Sequence, residues 1–441
     1  MAESIISPGV YTRENDISYI TPAPIVAGAA FVGPTVKGPD NQPLIVTSYS
    51  DYVRKFGETF TSASNKQYEF LTSVAVKNYF QNGGQTALVT RIVSGTYSRA
   101  ASTFISASAK PGSQPFTLET LGKGTLYNNA SSSLAPLQLT GSGQGYLNSD
   151  GSLVSGSADN LRWEIANTNT SQGTFSVVVR QGNDNTNNKT ILETFTVNLD
   201  PNSDKYIEKV IGNQYVSVAT DSSTGVSYNY VNGEYPNASN YIRVSSVGLT
   251  TNYYLANDGI TVNLDGTGTS YSASLPVTGA GSFYNATGAV STNATFFSAI
   301  GTTSGEAQGI VPANYATALS LLANRDEYQF NIISTPGVVY NNGGFASTVS
   351  QFIALAESRG DCIAVVDLVP TGSILSTVTT EAASLNSSYA ATYWPWLQIK
   401  SATGRNEWTP AGTVIPGVYA FTDASSAPWF APAGLVRGGI G

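Results

Sequence analysis

Residues 343–369 read GGFASTVSQFIALAESRGDCIAVVDLV. Phe345, Val349, Phe352, Ile353 and Ala356 recur at three- and four-residue steps, which puts them on one face of a helix that Gly360 stops. The run that follows, CIAVVDLV (362–369), is apolar at nearly every position, the pattern of a strand covered on both faces. Upstream, Phe330–Ser334 within QFNIISTPGVV reads as another strand, and TGSILSTVTTEAASLN (371–386) as a further helix. Strand, helix and strand in that order define an α/β layer.

The same alternation stands near the N-terminus. Ile25–Val32 and Leu44–Thr47 are strand-like runs separated by Gly/Pro turns, and Ser50 is placed to cap a short helix, DYVRKF (51–56), that Gly57 ends. In NKQYEFLTSVAVKNYFQNGG (65–84), Leu71, Val74, Ala75, Asn78 and Tyr79 share a helical face, and Asn82-Gly83-Gly84 supplies the stop. TALVTRIV (86–93) is then a buried strand. From about 96 to about 314 the text turns Ser/Thr/Asn/Gly-rich, with short alternating runs such as TFSVVVRQG (174–182), TILETFTVNL (190–199) and QYVSVAT (214–220), which predict antiparallel strands and long loops.

The expected fold is an α/β core domain of strand-helix-strand units with a mixed sheet, interrupted by a large β-rich insertion that forms one or two outward antiparallel β domains. The expected divisions are an N-terminal linking arm (1–22), the α/β core (23–95 plus 315–441), a β-rich inserted domain (96–225), and a loop-rich β extension or small protruding domain (226–314). The two α/β halves join because insertions succeed where the flanking ends lie close on a surface.

Composition narrows the partners. The chain has 441 residues, 41% hydrophobic and 11% charged, with a net charge of −8, and no Lys/Arg run that could track a phosphate backbone. Nucleic acid is not an expected partner. Met1-Ala2-Glu3-Ser4 has no basic stretch leading into a long apolar one, and Ile20–Val36 is interrupted by Pro22, Pro24 and Pro34, so neither secretion nor membrane insertion is expected. Cys362 is the only cysteine, so no disulfide forms within the chain, and its surroundings predict a small core residue.

The sequence contains no histidine, which removes Ser-His-Asp and Cys-His relays and His-ligated zinc. DPNSDKYIEKVI (200–211) opens like a calcium loop at Asp200, Asn202 and Asp204, but Lys205 replaces the required Gly and Ile211 the bidentate Glu, so a turn before a helix is expected. GSGQG (141–145) and LGKGT (121–125) lack the context of phosphate loops. Asp184, Asp200, Asp204, Asp361 and Asp367 could serve glycoside hydrolysis by residue type alone, and are expected to be solvated or turn-forming acids. Trp394, Trp396, Trp429 and Phe430 could stack on sugars, and are expected to pack in the core or an interface. No catalytic residue, metal or cofactor is expected.

SPGVYTREND (7–16) places a Pro-Gly turn before an alternating strand, Val10, Tyr11, Thr12, Arg13 and Glu14. Such a strand joins either a sheet of its own chain or that of a neighbour. Together with LETLGKGTLYNNA (118–130), ETFTVNLDPNSDKYIEKVIGNQYVSV (193–218) and IPGVYAFTDASSAPWFAPAG (415–434), it makes the chain resemble the tail sheath proteins of contractile-tailed bacteriophages and related contractile injection devices.

The resemblance implies a structural subunit of a virion, assembled in the host cytoplasm. Copies stack as hexameric rings around a tail tube in a helical sheath whose contraction drives the tube through the host envelope, with tube and baseplate proteins as further partners. It implies no catalysis and no cofactor. It also implies that Val10–Glu14 adds a strand to a neighbouring copy, and that a C-terminal domain follows the APAG stretch in the family, so a chain lacking that domain is expected to be monomeric. A tail-borne polysaccharide depolymerase and a surface adhesin or array protein are the alternatives, the first requiring clustered acids in an aromatic groove and the second a secretion signal.

Overall fold

The computed structural model describes residues 25–26, 28–61, 67–104, 106, 114–128, 148–153, 155–288, 307–427 and 429–439. The expected strand Val10–Glu14 lies outside the described residues. Six strands form one mixed sheet in the spatial order Ala390–Thr392, Ile363–Asp367, Ile332–Val339, Ala29–Gly33, Ala87–Arg91, Leu44–Val46. The first five run parallel and Leu44–Val46 is antiparallel to its neighbour. Strands from the two ends of the sequence are therefore hydrogen-bonded side by side, with Ile332 opposite Ala29 and Ser334 opposite Phe31.

Alternation along each strand buries both faces. Ala30, Val32, Leu88, Ile333, Ala364 and Val366 cluster with the helix Phe345–Arg359. Their neighbours Ala29, Phe31, Ala87, Val89, Ile332 and Val365 cluster with the helices Tyr49–Phe56, Leu71–Gln81 and Ile415–Ser425. On Phe345–Arg359 the face read from the sequence is the buried one, and each of its fully buried large side chains contributes about 1.5–3 kcal/mol. Gly360 ends that helix at φ 70°, with its N–H on the Ala356 carbonyl. A Cβ is strained there, so Gly360→Ala is expected to lower stability by about 1 kcal/mol, read as a lower urea midpoint at unchanged slope.

Two local expectations are corrected. The helix Tyr49–Phe56 is capped by Ser48, not Ser50: Ser48 is extended and its hydroxyl accepts the Asp51 N–H at 3.1 Å, so Ser50 falls inside the first turn. The strand expected to stop at Ser334 runs on to Val339 through Pro336. Its pairing with Ile363–Asp367 shifts between Ser334 and Val339, so Pro336 lies in a bulge where its missing N–H breaks no ladder bond. The Gln308 side-chain amide donates to the Pro336 carbonyl at 3.0 Å and accepts the Leu71 N–H at 2.8 Å.

A second core lies within residues 100–286. Ile191–Asn198, Thr174–Gln181, Leu161–Asn169 and Gly279–Ser282 form one antiparallel sheet, and Ile242–Val247, Phe116–Lys123 and Arg99–Thr103 another. Phe104 stacks on Phe116 and meets Trp163, both with ring centroids 4.4 Å apart, and Phe116 stacks on Phe175 at 5.6 Å. Both sheets draw strands from either side of residue 225, so the change in composition there does not interrupt this core. Buried Arg91 ties the two cores together by donating to the carbonyls of Gly38 and Lys123, and Lys37 reaches Asp159 at 3.0 Å.

Candidate interaction surfaces

The five acids singled out by residue type do not converge on one site. Asp204 is exposed, and Asp200 makes the expected turn by accepting the Asn202 N–H at 3.0 Å before the short helix Ile207–Ile211. Asp361 pairs with Arg359 at 2.9 Å. The expectation of a solvated acid fails at Asp184, whose side chain is fully buried between two arginines. Its carboxylate takes Arg162 at 2.9 Å, Arg180 at 2.7 Å and the Thr190 N–H at 3.0 Å, while Arg180 and Lys189 share Glu164. Arg162 and Arg180 stand on adjacent strands in register, a juxtaposition that residue spacing does not reveal.

The expectation fails again at Asp367. Burial pushes its carboxyl up to about 7, against the Gly412 N–H at 2.8 Å, which holds it lower. Glu69 went unnoticed in the sequence, although an acid between Tyr68 and Phe70 is itself a signal of burial. Burial raises it to about 7 as well, against the Ala402 N–H at 2.6 Å and the charge of Lys77. These two carboxyls grip the backbone of one segment, residues 401–413, and ahead of it the Trp396 indole N–H donates to the Val369 carbonyl at 2.9 Å. They are docking groups for that segment. Among the described residues no cluster of His, Cys, Asp or Glu could hold a metal ion, and no helix is long and apolar enough to cross a membrane.

Of the four aromatics, only Trp396 is buried. Trp394 is half exposed, and the stretch after the helix Ile415–Ser425 turns apolar side chains to solvent: Trp429 is 83% exposed, Leu435 100%, and Val436 and Phe430 also project. Phe430 is covered on one side by the Arg437 guanidinium, 4.9 Å from its ring centre. A second such surface lies in the β-rich part, where Tyr253, Ile260 and Leu264 are exposed on an ordered loop. Exposed apolar residues grouped this closely mark interaction surfaces more often than isolated ones do.

No family model matches the chain, nor does any curated protein. Solved structures similar to it include two sheath tail proteins. The sheath tail protein of Listeria innocua aligns over 91% of this chain and 57% of its own length, at 11% identity and a TM-score of 0.42. The sheath tail protein of Desulfitobacterium hafniense aligns over 94% of this chain and 62% of its own length, at 12% identity and a TM-score of 0.38. The chain thus spans less than two thirds of the length of either.

Proposed function

We propose that the chain is a structural subunit of a contractile tail sheath, a non-enzymatic virion component assembled in the host cytoplasm. The observation that carries this reading is the solvent exposure of Trp429, Phe430, Leu435 and Val436, within and just beyond the 415–434 stretch that carries the sequence resemblance. Large apolar side chains displayed by a chain with two well-filled cores call for a partner surface. In the proposed assembly, copies stack as hexameric rings around a tail tube. Residues 23–95 and 315–441 act as the core that slides during contraction, and the β-rich insertion faces outward. The arm of residues 1–22 links neighbours through Val10–Glu14 by strand addition, where backbone hydrogen bonds supply the affinity. Tube and baseplate proteins complete the partners.

Antibodies raised against the purified chain test this on particles from the phage or strain that encodes it. Label distributed along the length of contractile tails is the expected image. Label confined to capsids or fibre tips, or release of reducing sugar from capsule by the purified chain, overturns the reading.

A further inference from the structure

Residues 253–268 form an ordered, acidic, apolar-tipped loop. Asp258 accepts the N–H groups of Ile260 and Thr261 at 2.9 and 2.8 Å, and Asp265 those of Thr267 and Thr269, both at 2.9 Å. Bridges between Leu255 and Val262 and between Leu264 and Ser270 hold the base. This framework leaves Ile260 81% exposed, with Leu264 and Tyr253 also in the open, and holds Tyr253 at φ 52°, a strained conformation for a tyrosine. From Arg243 to Arg325 the sequence places no Lys or Arg between them, so the loop itself carries net negative charge.

Between the first strands of the core and the inserted part lies a cleft of about 770 Å³. Its apolar wall includes Leu44, Val53, Leu192, Tyr215 and Val231. Four cations line it, Lys37, Arg54, Lys55 and Arg99, against one carboxylate, Asp159, which is engaged by Lys37. Arg54 and Lys55 share Asp51, Arg99 donates to the carbonyls of Thr120 and Leu121, and Glu193 behind the rim is taken up by Ser239 and Asn240. In a protein of net charge −8 this is a locally basic, partly apolar recess.

Loop and cleft lie at opposite ends of one hairpin. The Tyr254 hydroxyl donates to the Thr170 carbonyl at 2.6 Å, which fixes the loop to the turn that joins Leu161–Asn169 to Thr174–Gln181. Leu161 and Gln181, paired at the other end of the same two strands, line the cleft. A strand of this length separates the two by roughly 25 Å, so a loop cannot enter the cleft of its own chain. We infer that the 253–268 loop of one copy seats in this cleft of a second copy, with Ile260 and Leu264 against the apolar wall and Asp258 and Asp265 towards Arg54, Lys55 and Arg99. The contact is head-to-tail, so a pair of copies keeps one free loop on one member and one free cleft on the other, and the association propagates into rings or filaments. The inference rests on the reading of the chain as a self-assembling subunit.

Sedimentation velocity of the full chain is the test, over a range of protein concentrations at low and high salt. Association is expected to grow with concentration and weaken with salt, in contrast to the monomer expected if strand addition by the arm were the link between copies. A loop variant, Ile260→Ser with Leu264→Ser, and a cleft variant, Val231→Glu with Arg54→Glu, should each associate about tenfold more weakly or worse. All four positions are exposed, and unchanged thermal melts confirm intact folding. Mixed together, the loop variant still offers a cleft and the cleft variant a loop, so the mixture should form one-to-one dimers and go no further. A monomeric parent chain, variants that associate like the parent, or a mixture that stays monomeric overturns the contact. Antibody labelling of tails is independent of all three, so labelled tails with a failed mixing experiment sink this contact and leave the sheath role standing.

Discussion

Asp184→Asn is expected to destabilise the second core by about 3–5 kcal/mol, the range for breaking a buried ion pair from one side. The wild-type carboxylate has no solvent-exposed side-chain surface and binds two guanidiniums that are themselves only 3% exposed. An amide of the same shape keeps the packing, but it presents N–H groups to one arginine and removes the buried carboxylate that Arg162 and Arg180 share, leaving Arg180 the Glu164 that Lys189 also uses. Lys189→Gln, which removes an exposed partner of Glu164, should cost less than about 1 kcal/mol and serves as the control. Urea titration followed by tryptophan fluorescence reads the effect, because Trp163 is buried among Phe104 and the strand Gly279–Ser282. A shift for Asp184→Asn no larger than that of the control would show that water or a rearranged Glu164 replaces the lost charge.

The second large effect is a dependence on pH set in the other core. Asp367 titrates near 7 in the folded chain and near the ordinary carboxylate value when unfolded. Between about pH 4 and 7 the unfolded chain therefore binds fewer protons than the folded one, and stability falls as the pH rises through that window. A carboxyl held near 7 rather than about 3.9 corresponds to roughly 4 kcal/mol between the two limits. Glu69, raised to about 7 as well, acts in the same window and on the same docked segment. Asp367→Asn keeps an oxygen for the Gly412 N–H and removes the ionisation, so it should match the parent near pH 4.5 and exceed it by about 2–4 kcal/mol near pH 8. Urea midpoints at those two pH values decide the matter. An equal difference between variant and parent at both would mean that Asp367 titrates normally.

The helix Phe345–Arg359 and its stop at Gly360 were legible because both are local: a 3.6-residue period and a left-handed terminus are written within one short stretch. The apolar runs of the central strands were legible for the same reason, since a strand buried on both faces must be apolar at both phases of its alternation. The resemblance stretch at 415–434 could be quoted from the sequence, but not that its last aromatics point outward, because exposure is a property of what fails to pack against them. Pro336 misled the strand boundary, since only the pairing with Ile363–Asp367 shows a bulge that tolerates it.

By itself, then, the sequence determined the helices Tyr49–Phe56, Leu71–Gln81 and Phe345–Arg359, the apolar strands, the division into α/β and β-rich text, and the absence of histidine chemistry, but not the helices Ala316–Leu322 and Ile415–Ser425. Tertiary structure alone decided that Ala29–Gly33 and Ile332–Val339 are neighbours, that Asp184 is a buried counter-ion while Asp204 meets water, and that an acidic loop and a basic cleft occupy opposite ends of one hairpin. Periodicity and turn chemistry act over a few residues and can be read along the chain, whereas burial and charge compensation are set by residues distant in sequence that only strand register brings within reach.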